Sequence, residues 1–438
     1  MRACRLRAVA ALLLGVLAAG GLGAQLRPGD IVLTCRDTAT AGGRTLCLDP
    51  VSGAVTTLLD KFPAPATQLL GSWVEMGPGN RDVWVAHEDG TSGALYVLSP
   101  AGAVVTVHPL AWRPDCFRLG DDGGITWSGY GGVFTNRLMR TDRSFGRLTT
   151  LVSGLPSLSL SHQEIEETGN LVAAFQSTSP LGGVAELDPR RGVVVKSLAG
   201  LGLVNTVDYH RTSGKVYAVE FGAPGQPSAL AGSLFEVDLA AASVTTLIDA
   251  RTPPGEAVDR LNWITCTRDG QLLLGARHRI HRYDPVARGI VKTWAYEADR
   301  LQALTGAVVY GSRPLALDTS GGTRPGGSVE VTLGFPHTRA AGAAYYLAAA
   351  LALRPGIRLG TEVLDLAFDP VFFVSANSLA PGIFRNFQGF LGAQGQAAAS
   401  IRIPALPSLE GQRLFVGAIA MIDGAVVVAN VEGFTIRS

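Results

Sequence analysis

Short apolar runs alternate with polar turns along the first two thirds of the chain. The segment LCLDPVSGAVTTLL, Leu46 to Leu59, sets the pattern: an apolar run, an Asp-Pro turn, and a second apolar run. It predicts two short strands joined by a tight turn. The unit returns as LYVLSPAGAVVTV from Leu95, LMRTDRSFGRLTTL from Leu138, VAELDPRRGVVVKSL from Val184, LFEVDLAAASVTTLI from Leu234 and IHRYDPVARGIVKTW from Ile280. The turns open on Asp49, Ser99, Asp142, Asp188, Asp238 and Asp284, so successive copies lie 43 to 50 residues apart. Asp or Ser there accepts hydrogen bonds from backbone N–H groups two residues on. Pro presets φ, and the trailing Gly53, Gly102, Gly146, Gly192 and Gly289 are expected at positive φ.

A second hairpin precedes each later copy, as in WVEMGPGNRDVWVA (73–86), CFRLGDDGGITWSG (116–129) and WITCTRDGQLLLGA (263–276). Two hairpins per period make four strands, which is one propeller blade rather than a unit of a helical solenoid. The first copy has only three candidate strands, from Ile31, while a spare strand follows the last copy in LQALTGAVVYG (301–311). Pairing the spare strand with the first copy closes a ring and removes the exposed edge. The expected fold is all-β: a six-bladed β-propeller, with seven blades as the alternative, followed by a β-sandwich.

The D-P-x-x-G turns and the T-x-x-G and D-G turns resemble the YVTN/NHL-type family of β-propellers over roughly residues 25–313. That family hosts scaffolds, ligand binders and enzymes, so the resemblance implies a fold and leaves activity open.

Past Arg313-Pro314 the composition shifts. From Leu315 onward there is no Lys, Cys or Trp, and eight arginines balance eight acids. SVEVTLGF, VLDLAFD, SIRIPAL, RLFVGAIAMI and FTIRS read as strands. The alanine-rich Ala340 to Leu353 is too short to span a membrane and, punctuated by Gly and Pro, reads as a buried strand. The segment from Gly395 to Leu406, Gly411-Gln412-Arg413-Leu414-Phe415 and the closing Ala429-Asn430-Val431 resemble a C-terminal β-sandwich of secreted bacterial proteins of unknown function. That resemblance implies an accessory, surface-display or carbohydrate-facing role. The domains are therefore 1–24, 25–313 and 314–438.

Residues 1–24 have the form of a signal peptide: Arg2, Arg5 and Arg7, an apolar run from Ala8 to Ala19, and small residues at Gly23-Ala24. Its removal leaves no membrane span and a balance of 34 basic to 36 acidic residues, which offers no footprint for nucleic acid. The expected location is secreted, periplasmic or in the cell envelope. Four cysteines remain. Cys35 and Cys47 sit on neighbouring predicted strands and are expected to form a disulfide, while Cys116 and Cys266 read as free thiols.

The catalytic signatures G-x-S-x-G, H-E-x-x-H and G-x-x-x-x-G-K-[ST] do not occur. Polar residues on the candidate inner strands, Glu75, Asp115, Arg118, His162, Glu164, Asn205, Asp208 and Asn262, would face the tunnel. All but Asp115 form the candidate ligand site. Glu75, Asn205, Asp208 and Asn262 offer oxygens for Ca2+ or another divalent cation, as in metal-dependent lactonases of the gluconolactonase/regucalcin type. The alternative for the same residues is satisfaction of backbone groups and tunnel water. In RHRIHR (277–282), His278 and His281 fall on opposite faces of a solvated strand. Trp73, Trp84, Trp127 and Trp263 read as core, and Trp112 as the one most suited to a loop. The leading expectation is a non-enzymatic propeller that binds an extracellular ligand, carbohydrate or protein. A metal-dependent hydrolase or lyase, and a structural envelope or matrix protein, are the alternatives.

Overall fold

The computed structural model describes residues 25–437 apart from connecting stretches, the longest being 63–71, 221–231 and 250–260. Residues 31–309 form six four-stranded antiparallel sheets. In blades 2 to 6 the strands follow one another outward in chain order, from the inner strands Ser72–Met76, Arg113–Leu119, Leu158–Ile165, Val204–His210 and Trp263–Cys266. Blade 1 is built differently. Its inner strand is Leu301–Val309, followed outward by Ile31–Asp37, Gly42–Leu48 and Val55–Leu59. Val309 pairs with Ile31 and Ala307 with Leu33, so the last strand zips onto the first. Each inner strand touches the inner strands of both neighbours, all the way round the ring. This is a six-bladed propeller, closed by the strand that the sequence leaves spare.

The Asp turns behave as their chemistry dictates, with one difference in detail, while Ser99 accepts from Ala103 N, four residues on, at 3.2 Å. The N–H groups of Val51, Ser144, Arg190 and Val286 donate to Asp49, Asp142, Asp188 and Asp284 at 2.8, 3.0, 2.9 and 2.8 Å. Gly53, Gly102 and Gly192 have positive φ, but Gly146 and Gly289 do not: Phe145 (57°) and Arg288 (53°) take the left-handed conformation, as Ala242 (50°) does in the degenerate copy. The left-handed residue comes four places after the turn residue at Gly53, Gly192, Ala242 and Arg288 and three places after it at Gly102 and Phe145, and Gly146 and Gly289 each fall one place behind it.

Strand alternation sends side chains to the two neighbouring seams. In blade 2, Val83 and Val85 enter the cluster shared with blade 1, while Trp84 and Ala86 enter the one shared with blade 3. All six tryptophans are buried, including Trp112, which lies in a connection yet packs edge-on to Trp127 at 5.7 Å. It offers no exposed stacking platform. The expected Cys35–Cys47 disulfide is also corrected. Cys35 lies opposite Arg44 and Cys47 opposite Val32, and the two side chains enter different seams, so both remain free, buried thiols. Cys116 and Cys266 are free as well.

Past the ring, two further sheets share one core. One runs Leu315–Asp318, Ser328–Gly334, Gln396–Arg402, Phe384–Arg385. The other is centred on Ala344–Ala350 and Arg413–Ile422, with Ala425–Val428 and Glu432–Thr435 pairing successive halves of the latter. Val329, Val331 and Leu333 pack with Leu347, Val416 and Ala418 between them. The alanine-rich stretch is thus a strand. The region of VLDLAFD departs from expectation: only Glu362–Leu364 is strand, and a helix, Pro370–Ala376, follows it. Asp369 caps that helix by accepting from Phe372 N at 2.8 Å, with Pro370 in its first turn. Ser375 on the helix bonds both N–H and C=O of Ala349, which blocks that edge of the sheet.

Candidate functional site

The inner strands bring most of the expected polar residues to the wall around the axis. Trp73 and Glu75 lie two apart on blade 2, and Trp73 Nε1 donates to Glu75 Oε1 at 2.9 Å. The Arg118 guanidinium of blade 3 pairs with the same carboxylate and stacks over Trp73, 5.0 Å from the ring centre. Its Nε also donates to the His162 carbonyl of blade 4 at 3.1 Å. One side chain therefore ties three blades. Glu75 and Arg118 are almost wholly out of water, a setting in which an ion pair needs such additional hydrogen bonds to offset desolvation.

His162 itself points between blades 3 and 4, where Nε2 lies 2.6 Å from the Thr126 hydroxyl. Burial, reinforced by the Arg118 cation, pulls its pKa down to about 3, so the ring is neutral. It serves the seam. Cys116 donates weakly to the His162 carbonyl, and burial raises its pKa to about 12, so it is an inert thiol.

Asp208 plays the corresponding part in blade 5. Its Oδ2 accepts from the Thr265 hydroxyl at 2.9 Å and from Cys266 N at 2.6 Å, both in blade 6, and Oδ1 accepts from Tyr209 N at 2.8 Å. Burial pushes its pKa up, against the opposing pull of Arg118 and these bonds. Nearer the start of the same strands, Asn205 Nδ2 donates to the Asn262 carbonyl at 2.7 Å. Asp115 lies half-buried on the inner strand of blade 3.

Glu164 is not part of this wall assembly. It sits near the end of the inner strand of blade 4 and pairs with Arg413 of the C-terminal sheets at 2.7 Å. His281 is corrected too: it is buried, bonded to Thr293 at 2.9 Å, with its pKa drawn down to about 4 by burial and Arg279. Its sequence neighbour His278 lies outside the described residues.

The four oxygens considered for a divalent cation do not share one centre of bonding. Glu75 faces Arg118, Asp208 faces N–H and O–H donors, and Asn205 faces the Asn262 backbone. Among the described residues no group of three or more His, Cys, Asp or Glu could hold a metal ion. Trp73, Thr126, Thr265, Cys266 and Arg413 complete these contacts, and the sequence reading missed their parts. The alternation Trp73-x-Glu75 and Thr265 beside Trp263 were the available signals, since both place a polar group on an otherwise apolar inner strand.

No protein-family model matches the chain. No curated protein matches it either. Solved structures give weak likenesses. A chain of a nidogen/laminin complex is 12% identical over 64% of this chain and 97% of that one, with a TM-score of 0.47. TolB from Acinetobacter baumannii is 13% identical over 64% and 67%, TM-score 0.45. A calcium-binding protein, regucalcin, from Agrobacterium tumefaciens strain C58 is 16% identical over 52% and 74%, TM-score 0.40. The propeller assignment stands on strand order and ring closure. Among the described residues no helix is long and apolar enough to cross a membrane.

Proposed function

We propose that this is an exported propeller of the YVTN/NHL-like kind that binds an extracellular ligand, a carbohydrate or a protein segment, through one face of the ring. In this reading residues 1–24 direct export, 25–313 form the ring and 314–438 form an accessory β-sandwich. One observation carries it: the strongest acids and the base at the axis are engaged in joining blades. Glu75 and Arg118 neutralise each other, and Asp208 is hydrogen-bonded to the neighbouring strand through Thr265 and Cys266 and to its own backbone through Tyr209. Groups held in that way position a wall, whereas a general base or nucleophile needs a polar atom turned to its substrate.

The amide pair Asn205 and Asn262, at the start of the inner strands, supplies neutral hydrogen-bonding groups suited to hydroxyls or a peptide backbone. Screening the mature protein against a glycan array and an extracellular peptide library tests the proposal. A hit whose affinity falls about tenfold in Asn205→Ala supports it, that being about 1.4 kcal/mol of contact. A stoichiometric divalent cation in purified protein, lost in Asp208→Asn together with a hydrolytic activity, would replace it with the metal-dependent enzyme.

A further inference from the structure

Among the described residues the C-terminal sheets are joined to the ring at blade 1, by the chain itself, and at blade 4, on the opposite side, by side-chain bonds. The first is blade 1, where the chain leaves the inner strand at Val309. Tyr310 is fastened there, its N–H donating to the Asp30 carbonyl at 2.7 Å and its carbonyl accepting from Gly29 at 2.9 Å. Leu315 begins the next sheet and is clamped to Asn430, whose Oδ1 accepts from Leu315 N at 2.8 Å and whose Nδ2 donates to Leu315 O at 3.0 Å. Asn430 leads directly into Glu432–Thr435, so that strand starts beside Leu315, five residues of chain beyond Tyr310.

The second place is blade 4. Arg413, paired in register with Thr435, bonds Glu164, and Arg190 donates to the Thr435 hydroxyl at 3.1 Å and to the Thr168 carbonyl at 3.0 Å. From Asn430 to Thr435 an extended chain covers roughly 17 Å at about 3.3 Å per residue. In a ring of six, blade 4 stands directly across from blade 1. Glu164, Thr168 and Arg190 all lie at the end of the ring where inner strands finish and the Asp turns sit. The last strand of blade 1 finishes at the same end.

The joint at blade 4 is fitted. Gly169 has φ of 71°, and a Cβ there would stand 2.1 Å from Arg413 Nη1. The Arg413 guanidinium also stacks 5.3 Å from the Phe415 ring, and its side chain is only 12% exposed.

We propose that the C-terminal sheets form a fixed cap across the mouth of the tunnel ringed by the Asp turns, so that a ligand enters from the opposite mouth, past Asn205 and Asn262. Glu75, Arg118 and Asp208 then lie deeper, toward the capped end. The cap does not depend on the binding reading, and its test uses no ligand.

Two cysteine pairs test it in the full mature chain: Glu164→Cys with Arg413→Cys, and Arg190→Cys with Thr435→Cys. The side chains meet at their tips, too far apart at Cβ for a disulfide, so each pair is expected to be bridged within one chain by a short bismaleimide cross-linker without changing the radius of gyration seen by small-angle scattering. Separately, Arg413→Glu should lower hydrogen-exchange protection of residues 164–169 at least tenfold, and Glu164→Arg added to Arg413→Glu should restore it. Folded protein in which neither pair is bridged would overturn the cap. So would an Arg413→Glu variant with unchanged protection at 164–169.

Discussion

The ring is held at its axis by a cation on one side and an anion on the other. Across blades 2, 3 and 4, Arg118 is met by an opposite charge, Glu75, and by a carbonyl. Across blades 5 and 6, Asp208 is hydrogen-bonded by neutral donors, the Thr265 hydroxyl and the N–H groups of Cys266 and Tyr209, with Arg118 acting on it from a distance. Both arrangements satisfy buried polar groups. They differ in what remains if one member is lost: the first leaves a naked charge, the second leaves unpaired dipoles. The second also keeps much of its desolvation cost, and the raised pKa of Asp208 is its signature.

The sharpest way to break this contrast is Arg118→Ala. Glu75 would be left buried and unpaired, at a cost of about 3–5 kcal/mol in chemical denaturation. Arg118→Met with Glu75→Gln should recover most of that loss, and an equal loss in the double variant would mean that packing over Trp73, not charge, is responsible. Asp208→Ala should cost less, about 1–3 kcal/mol, because only hydrogen-bond donors are stranded. A larger loss than in Arg118→Ala would reverse the ranking of the two arcs.

Acid should act on the two arcs with opposite sign. His162 has a folded pKa below its ordinary value of 6.5, so the unfolded chain binds the extra proton. Its contribution is complete above pH 6.5 and is lost as pH falls toward about 3, at up to about 1.4 kcal/mol per pH unit. Asp208 has a raised folded pKa, so the folded chain takes its proton first and gains stability as pH falls through that value. The fall in stability from pH 7 to 4.5 should flatten in His162→Gln, with His281 keeping part of it, and the fall just above the ordinary Asp value of 3.8 should steepen in Asp208→Asn. The smallest effect belongs to the rim. Gly53→Ala, at φ 77° with its nearest neighbour at 3.7 Å, should cost about 1 kcal/mol of left-handed strain. Gly102→Ala should cost more, since its Cβ would stand 2.3 Å from the Leu58 carbonyl.

Much of the ring was legible because its signals are local or periodic. An Asp turn bonds its own next residues, and a repeat announces itself wherever it starts. The strand at Leu301 was recognisable as a closing strand because blade 1 lacked one. The helix after Asp369 was also within reach, since Asp-Pro before an apolar stretch is a helix start, but the strand-like apolar pattern before it masked the signal. The wall residues were found as polar positions on inner strands, yet their partners were not.

The reason is distance along the chain. Glu75 meets Arg118 across 43 residues, Asn205 meets Asn262 across 57, and Glu164 meets Arg413 across 249. Nothing in either neighbourhood specifies the other. The side of a strand on which Cys35 or Cys47 falls, and hence the absence of a bridge between them, follows from register rather than from proximity in sequence. The amino-acid sequence alone determined that there are blades, how each turns, and which strand closes the circle, for these depend on interactions within a few residues or on repetition. Only the tertiary structure decided which charges neutralise each other at the axis, and that Glu164 faces the C-terminal sheets, because those contacts exist only once the blades stand side by side.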